Sequence, residues 1–586
     1  MLLIFMLSAC DNPNTKPPVI TVPPAKSPEA SQEPTVQPTQ SPEIPEVTDF
    51  KIEYDSDGNI DYEATWPGKT ILVWAHSDYL RLIDNYFNKL SGSNASPMYK
   101  YRGGINDYIV ASYNNYLISK GCDYVVKFIN EMDMFDQIRE EYVNKILVSP
   151  SQLFKYYQPW LRDLKANNRQ VDIISLGSPT RYTDPDENSP TFGEEIICSL
   201  APDLEAIEDG LVMDISEYIF NEKDTRLYNA FPEYVWDLTS IDDKVYGLYN
   251  HSYASRSLIK FNETIMEELG LKAEDVNTLE KIDSVLSMVY ESKADEIGKD
   301  SFRLIFNNLT QDSVNIMAEI YTDENDITYK YDNKNKAYAL NKLNDKMYLD
   351  FIEHMAKWNE KEYFGREYVH QGPMDEATSQ IRTSGQWFMD IDKETLIYSN
   401  KVDSVSVSVS DWIINDNFTN MISISSWSKN ADMAFDLLSR VFTDQYLSNL
   451  IIYGVGYEDF ADEDIVSVEK VSNTDLIGTA VMVFVKPRND TGYLVEEKLD
   501  VIAKLNPPAY LRFVPDMSGF EYDLERFNEL LLEADNLWYT HPSNFLTKLD
   551  EIKSELESIG YSDFIQEINE QFDNYLDNFT HLNSSK

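Results

Sequence analysis

A cysteine near the start of the chain stands in a context suited to lipid attachment. Leu7, Ser8 and Ala9 place an apolar residue and two small residues directly ahead of Cys10, the order that a lipoprotein signal peptidase reads. We expect cleavage before Cys10, attachment of a diacylglycerol group to its thiol and a palmitate modification at this cysteine, which makes segment 1–10 a lipoprotein signal. The apolar run 2–7 is short and no Lys or Arg precedes it, so a chance match is the alternative.

The segment that follows this cysteine favours an extended tether. Residues 11–47 contain ten prolines and no aromatic residue. Such a composition cannot bury a core and stays extended. A lipid anchor followed by a tether would hold a globular body on the extracellular side of the cell membrane.

Other common chemistries find little support in the sequence. The histidines are scattered and show no metal-ligand spacing: His76, His251, His354, His370, His541 and His581. No nucleophile elbow and no phosphate-binding glycine loop is present, so we expect no metal and no cofactor. With 100 Asp and Glu against 50 Lys and Arg, the chain carries a formal charge of −50, which argues against a nucleic-acid partner. A catalytic carboxylate pair could still lie unseen among so many acids.

The remaining cysteines are too few for a disulfide scaffold. Beyond Cys10 the chain has Cys122 and Cys198. They form either one bridge or two buried thiols, and the sequence leaves both open.

Alternating strands and helices must position any site in this chain. Apolar runs predict strands at Thr70–Trp74, Tyr124–Ile129, Val171–Leu176 and 402–409. Helical spacing predicts helices over 78–90, 131–147, 153–167, 263–298, 340–360 and, with breaks near 540–542 and 560–561, 523–579. Strand–helix succession indicates an α/β body with a largely parallel sheet. Ligands bind such sheets beyond the carboxyl ends of strands, which directs attention to the residues after Trp74, Leu176 and Leu248.

Short segments in a fixed order resemble a known family. They are Asp172-Ile-Ile-Ser-Leu-Gly177, Gly210-Leu-Val-Met-Asp-Ile-Ser-Glu-Tyr218, Asp243-Lys-Val-Tyr-Gly-Leu-Tyr249, Leu258-Ile-Lys-Phe-Asn262 with Glu268-Leu-Gly270, Ser384-Gly-Gln-Trp-Phe-Met389, Ser426-Trp-Ser-Lys-Asn430-Ala431 and Gly454-Val-Gly456. Together they resemble the family 1 extracellular solute-binding proteins of ABC importers, the group that contains maltodextrin-binding protein. The tail around Gly519-Phe520 and Ile559-Gly560-Tyr561 is similar to a C-terminal domain of uncharacterised function found on a subset of these lipoproteins, whose members are linked mostly to saccharides.

The resemblance implies a periplasmic-binding-protein-like α/β fold with two lobes joined by a hinge, and a helical C-terminal extension. It places the first lobe at 68–250 and the second at 251–410. Segments that complete both lobes then follow at 411–514, and a helical C-terminal domain at 515–586. The ligand of this family lies in the cleft between the lobes.

Aromatic faces and planar polar groups are the side chains that suit a sugar in such a cleft. The candidates are residues that we expect to leave strands at the cleft: Trp74, His76, Asp78, Tyr79, Arg181, Tyr182, Tyr249, Asn250, Tyr253, Arg256, Asp390, Asp392 and Trp427. Trp74 stands in an apolar strand, so a core position is its alternative role. Asp390 and Asp392 stand where the family often places a stacking Trp, which argues against binding of a ligand in the manner of maltodextrin-binding protein. Trp387 and Phe388 alternate in a strand, so one of the two is expected to face the core.

The function that this resemblance implies is solute capture rather than catalysis. We expect a monomeric, anchored binding protein that takes up an oligosaccharide or other small solute and delivers it to the subunits of an ABC permease. The alternatives are an anchored glycoside hydrolase, which needs a carboxylate pair about 5–10 Å apart, and a surface carbohydrate adhesin or sensor.

Overall fold

A computed structural model of the chain describes residues 51–76, 107–129, 154–176, 180–183, 195–199, 202–221, 225–231, 235–236, 239–241, 244–249, 254–293, 302–307, 318, 320–322, 327–331, 337–364, 387–395, 404–408, 412–414, 421–453, 495–504, 513, 515–517 and 524–583.

The strands in chain order are β1 Thr70–Ala75, β2 Tyr124–Ile129, β3 Ile173–Ser175, β4 Thr180–Thr183, β5 Glu195–Ser199, β6 Ser240–Ile241, β7 Lys244–Val245, β8 Leu248–Tyr249, β9 Ala254–Asn262, β10 Arg303–Asn307, β11 Ile320–Thr322, β12 Thr328–Tyr331, β13 Ala337–Ala339, β14 Trp387–Thr395, β15 Ser404–Ser408, β16 Ile413–Ile414 and β17 Met421–Ile424.

The α-helices are α1 Tyr62–Thr65, α2 Asp107–Ser119, α3 Phe154–Ala166, α4 Pro202–Glu208, α5 Ser216–Phe220, α6 Thr225–Ala230, α7 Glu263–Glu268, α8 Leu279–Ser292, α9 Lys346–Glu360, α10 Ala431–Val441, α11 Gln445–Tyr453, α12 Val495–Lys504, α13 Leu524–Thr540, α14 Phe545–Ser558 and α15 Tyr561–Asn583. Short 3₁₀ turns lie at Ala273–Asp275, Lys342–Asn344 and Pro542–Asn544.

The first lobe is built on a mixed sheet with the strand order β2-β1-β3-β17-β8. Strand β1 pairs parallel with β2 and β3, whereas β17 runs antiparallel to both β3 and β8. The predicted strands over 70–74 and 124–129 are confirmed, and the regular part of the third covers Ile173–Ser175. The expectation of a largely parallel sheet is correct except for β17, the segment that returns from the second lobe.

Alternation along the strands gives this sheet two covered faces. Leu72, Trp74 and Ile173 share one apolar cluster with helices α2, α10 and α11. Ala75 and Ile174 contribute to the opposite face, where α3 packs. Each strand is therefore apolar on both sides, which is why the strands read as continuous hydrophobic runs.

Residues ahead of β1 belong to the first lobe as well. Trp66 is 5% exposed, packs with Ala111 and Val125, and donates from its indole nitrogen to Asn115 Oδ1 over 2.9 Å. The folded body thus begins before residue 68, the boundary expected from the sequence. Helix α2 is a second difference, since no element was predicted between the helix expected at 78–90 and β2.

The second lobe is built on a sheet with the order β10-β14-β9-β15, to which β16 adds by pairing with β9. The chain passes from β8 in the first sheet to β9 in the second, and from β16 back to β17. One of Trp387 and Phe388 was expected to face the core, and in the structure both are buried at the start of β14. Both fit because β14 lies inside the sheet, between β10 and β9.

The C-terminal extension is helical as predicted, with α13, α14 and α15 separated at the expected breaks. Pro542 opens a short turn after α13. Gly560 takes a φ of 89° after α14, a conformation that suits glycine at the end of a helix. These local breakers explain why the sequence located the helices closely.

Cys122 is a free thiol and is 4% exposed. Burial raises its pKa, which keeps it in the neutral thiol form at ordinary pH. A bridge from Cys122 to Cys198 is therefore not formed in this structure.

Candidate functional site

The carboxyl ends of the first-lobe strands meet at one edge of the sheet. The backbone nitrogen of His76, which follows β1, donates to the carbonyl of Ile129 at the end of β2 over 3.0 Å. Leu176, which follows β3, donates to the carbonyl of Met421 over 2.7 Å, and Met421 pairs with Tyr249 at the end of β8. Only residues 250–253 separate β8 from β9, so this edge adjoins the crossing to the second lobe. We take it as the candidate ligand-binding edge.

A tyrosine of α3 holds two of these strand ends together. The Tyr157 hydroxyl donates to the Ser175 carbonyl over 2.7 Å and lies 3.2 Å from the Ala75 carbonyl. Both carbonyls stand at the ends of strands, directly before the loops that carry candidate residues. Tyr157 is 2% exposed, so its hydroxyl satisfies buried acceptors that water does not reach.

Two predicted ligand contacts are buried in the same manner. Trp74 is fully buried, and its indole nitrogen donates to Ser175 Oγ over 2.8 Å. Tyr249 is also fully buried, and its hydroxyl donates to Asp203 Oδ2 on α4 over 2.7 Å. Trp74 thus takes the core role that the sequence left open, and both side chains fix strand ends instead of presenting a stacking face.

His76 lies at the candidate edge and is 1% exposed. Its ring meets the Phe128 ring edge-on, with centroids 6.1 Å apart. Among the described residues no group of three or more His, Cys, Asp or Glu side chains is arranged to hold a metal ion.

The second-lobe candidates lie within strands. Asp390 and Asp392 were expected to follow a strand, but β14 continues to Thr395 and contains both. Asp390 is buried and stands directly opposite Lys260 of β9, which is also buried. Arg256, near the start of β9, places its guanidinium 4.7 Å from the centre of the Trp412 ring.

Trp427 lies at the opposite edge of the first sheet. Because β17 is antiparallel to β3, its end leads to the edge where β3 begins. The Trp427 indole nitrogen accordingly donates to the carbonyl of Arg169, ahead of β3, over 2.8 Å. The structure does not bring Trp427 together with the strand-end group, and a ligand contact of Trp427 stays a prediction.

A buried carboxylate accepts hydrogen bonds from several segments at this opposite edge. Asp172 is fully buried, and its Oδ2 accepts hydrogen bonds from the Val73 backbone over 3.0 Å and from Gln170 Nε2 over 2.8 Å. Its Oδ1 accepts from Ser428 Oγ over 2.6 Å and from Asn430 Nδ2 over 3.2 Å. Asp172 thus joins β1, β3 and the turn that follows β17.

Several candidates are not placed at side-chain level. Asp78, Tyr79, Asn250 and Tyr253 lie outside the described residues. Arg181 and Tyr182 belong to β4, which pairs antiparallel with β5. Their contact with a ligand stays a prediction.

Sequence reasoning missed Tyr157, Asp203 and Asp172. The only available signal was the isolated carboxylate of Asp172 between the apolar residues Val171 and Ile173. A lone acid in a buried strand indicates a satisfied internal charge. Tyr157 and Asp203 stand on ordinary amphipathic helices and carry no such signal.

Replacing Tyr157 with Phe tests its role at the strand ends. We expect the free energy of unfolding to fall by about 1–2 kcal/mol, because the buried Ser175 carbonyl loses its donor while the ring still packs. Urea unfolding measures the change. Tyr218→Phe is the matched control, since its hydroxyl pairs with Asp432 at the surface over 2.7 Å. An equal loss in both variants would contradict a special role for Tyr157.

No protein-family model and no curated protein sequence matches the chain. Solved structures do match. The N-glycan transport solute-binding protein NgtS from Streptococcus pneumoniae has 15% sequence identity and a TM-score of 0.52, over 87% of this chain and 100% of NgtS. A solute-binding protein of Bifidobacterium longum infantis, described as HMO-binding and associated with an ABC transporter, aligns at 13% identity with a TM-score of 0.45, over 87% and 99% of the two chains.

At 15% identity the likeness to NgtS shows the fold and no more. The mixed sheet of each lobe, the crossings between them and the helical tail agree with it. The chain therefore has the two-lobed α/β fold of solute-binding proteins, with a helical C-terminal extension.

Proposed function

We propose that the protein is an extracellular solute-binding protein that captures an oligosaccharide between its lobes and delivers it to an ABC permease. The observation that carries this proposal is the architecture, with two sheets in separate lobes and the chain passing from β8 to β9 and back from β16 to β17. Two lobes joined by crossing strands can close over a ligand and reopen. NgtS, whose description names N-glycan transport, shares this fold.

The choice of an oligosaccharide rests on chemistry and on the resemblance in sequence. The chain has 38 tyrosines and 9 tryptophans, and rings of this kind pack against the C–H faces of sugars. Planar polar side chains such as Arg256 suit the hydroxyl groups. The segments that resemble family 1 solute-binding proteins favour the same ligand class.

Catalysis is not part of this proposal. Closure of the lobes buries the ligand, and the permease recognises the closed form. No bond in the sugar has to break for that cycle. An anchored glycoside hydrolase would instead release shortened products, and this difference makes the two functions separable by experiment.

The proposal includes anchoring through Cys10 on the extracellular side of the membrane. Cys10 and the proline-rich tether lie outside the described residues, so the support comes from the sequence. Among the helices that the structure describes, none is long and apolar enough to cross a membrane. Anchoring near one importer would raise the local concentration of the receptor.

A thermal-shift screen over oligosaccharides tests the function. A sugar present at 100 times its Kd stabilises the folded state by about 2.7 kcal/mol, which raises Tm by several degrees. We expect at least one oligosaccharide to give such a shift and to be recovered chemically unchanged. Turnover of the sugar under the same conditions would overturn the binding function.

Two variants test where the sugar binds. Arg256→Ala is expected to reduce the sugar-induced shift, because Arg256 lies beside the crossing to the first lobe. Trp427→Ala is the control, since Trp427 lies at the opposite edge of the sheet, and we expect its shift to equal that of the unmodified protein. If Trp427→Ala loses the sugar-induced shift and Arg256→Ala keeps it, the sugar does not bind at the strand ends.

A further inference from the structure

The C-terminal helices are fastened to the second lobe by a buried charge. Lys342 Nζ lies 2.6 Å from Asp535 Oδ2 of α13, and each side chain is 6% exposed. The Tyr348 hydroxyl of α9 donates to the other oxygen of the same carboxylate. Both oxygens of Asp535 therefore depend on donors from the second lobe. A buried charge needs such partners, because its desolvation is otherwise uncompensated.

A side-chain amide closes the edge of a second-lobe sheet. Strand β13 is an outer strand of the three-stranded sheet β11-β12-β13. Asn569 of α15 accepts from the Ala339 backbone nitrogen and donates to the Ala339 carbonyl, each over 2.8 Å. The amide thus replaces the pairing that a neighbouring strand would supply. Open strand edges promote association with other chains, so loss of Asn569 would leave β13 able to pair with another chain.

The apolar core continues from the second lobe into the tail. Tyr329 of β12 meets Phe513 and Phe572 with ring centroids 6.3 and 6.1 Å apart. Phe364 meets Trp538 of α13 at 5.2 Å. All of these residues except the half-buried Trp538 are buried. Removal of the tail would expose this shared surface.

We infer that the C-terminal segment 513–583 completes the second lobe and unfolds with it as one cooperative unit, instead of forming an independently stable domain. Three sets of contacts join the C-terminal segment to the second lobe. They are the bonds of Asp535 to Lys342 and Tyr348, the hydrogen bonds of Asn569 to β13, and the packed aromatic rings. In the proposed binding cycle these helices would then move with the second lobe as it closes, and that statement alone rests on the proposed function.

Hydrogen exchange in the full-length Asp535→Ala variant tests the inference without any sugar. Loss of one partner from a buried ion pair is expected to raise local opening roughly 100-fold or more. We expect this rise in α13–α15 and equally in β13 and α9 of the second lobe. Asp550→Ala removes an exposed acid of α14 and is the control, with exchange unchanged.

A rise confined to α13–α15, with β13 and α9 unaffected, would overturn the inference. If Asp535→Ala does not fold, Asp535→Asn is compared with the double variant Asp535→Asn with Lys342→Gln. The side-chain amides at positions 535 and 342 in this double variant each carry a donor and an acceptor, so the two can form a neutral hydrogen bond. We therefore expect the double variant to recover protection in both parts together. Recovery in the tail alone would contradict the single unit. Because the measurement contains no sugar, its failure leaves the proposed binding function untouched.

Discussion

Alanine in place of Asp172 is expected to lower the free energy of unfolding by about 3–5 kcal/mol. The carboxylate is fully buried and accepts hydrogen bonds from Val73, Gln170, Ser428 and Asn430. Its removal leaves the buried Val73 amide without this acceptor, releases Ser428 and Asn430 from β3, and opens a cavity between β1 and β3. Urea unfolding followed by circular dichroism measures the loss.

Asp163→Ala is the matched control for this change. It also removes one carboxylate, but Asp163 is exposed on α3 and accepts from Asn167 at the surface. We expect its effect to stay within about 0.5 kcal/mol. If Asp172→Ala costs less than about 1 kcal/mol, the carboxylate does not organise this edge of the first lobe.

Gly247→Ala is expected to cost about 2–3 kcal/mol through overpacking. A Cβ at this position would lie 2.5 Å from Met421 Cγ and 2.8 Å from the carbonyl oxygen of Ile422, and would also meet Ser423 Oγ. The carbonyl belongs to β17 and cannot move without disturbing the pairing with β8. Unfolding by urea provides the measurement.

Gly270→Ala separates overpacking from the general cost of replacing a glycine. Gly270 has a φ of +66° and nothing within 4 Å of the added carbon, so about 1 kcal/mol is expected there. Adding Ser423→Ala to Gly247→Ala should recover part of the loss, because one of the crowded atoms is removed. A Gly247 variant as stable as the Gly270 variant would show that β8 and β17 can separate at little cost.

Local patterns were sufficient to predict several strands and the C-terminal helices, whereas the predicted helices 78–90 and 131–147 lie outside the described residues. The strand Tyr124–Ile129 matches its predicted bounds, and the helical segment after residue 523 is interrupted near Pro542 and near Gly560, as predicted. In both cases the signal lies within the segment itself, as β-branched apolar runs or as residues that interrupt a helix. The prediction placed the start of the first lobe too late, because residues 52–66 contain too few apolar residues to indicate that they pack on α2.

The candidate site was less predictable because it depends on long-range pairing. An apolar run does not show in which direction a strand is inserted, so the reversal of β17 placed Trp427 at the far edge of the sheet. The length of β14 likewise turned Asp390 from a loop residue into a buried neighbour of Lys260. Trp74 and Tyr249 were located correctly at strand ends, but their inward direction depends on Ser175 and Asp203 from other elements.

Several of the segments that carry the family resemblance contact one another in the first lobe. Asp172 binds Ser428 and Asn430, and the Ser426 backbone donates to the Leu211 carbonyl over 2.9 Å. Gly247 permits the approach of β8 to β17. Each of these contacts stabilises the fold, so the resemblance predicts the architecture, and the ligand contacts that it implies stay a prediction.

Small-angle X-ray scattering with and without the oligosaccharide identified by the thermal-shift screen tests the central claim most directly. We predict that saturating sugar lowers the radius of gyration, as the two lobes close, and that chromatography recovers the sugar intact. An unchanged radius of gyration with a bound sugar, or recovery of shortened sugars, would contradict the proposal that the protein captures an oligosaccharide by lobe closure.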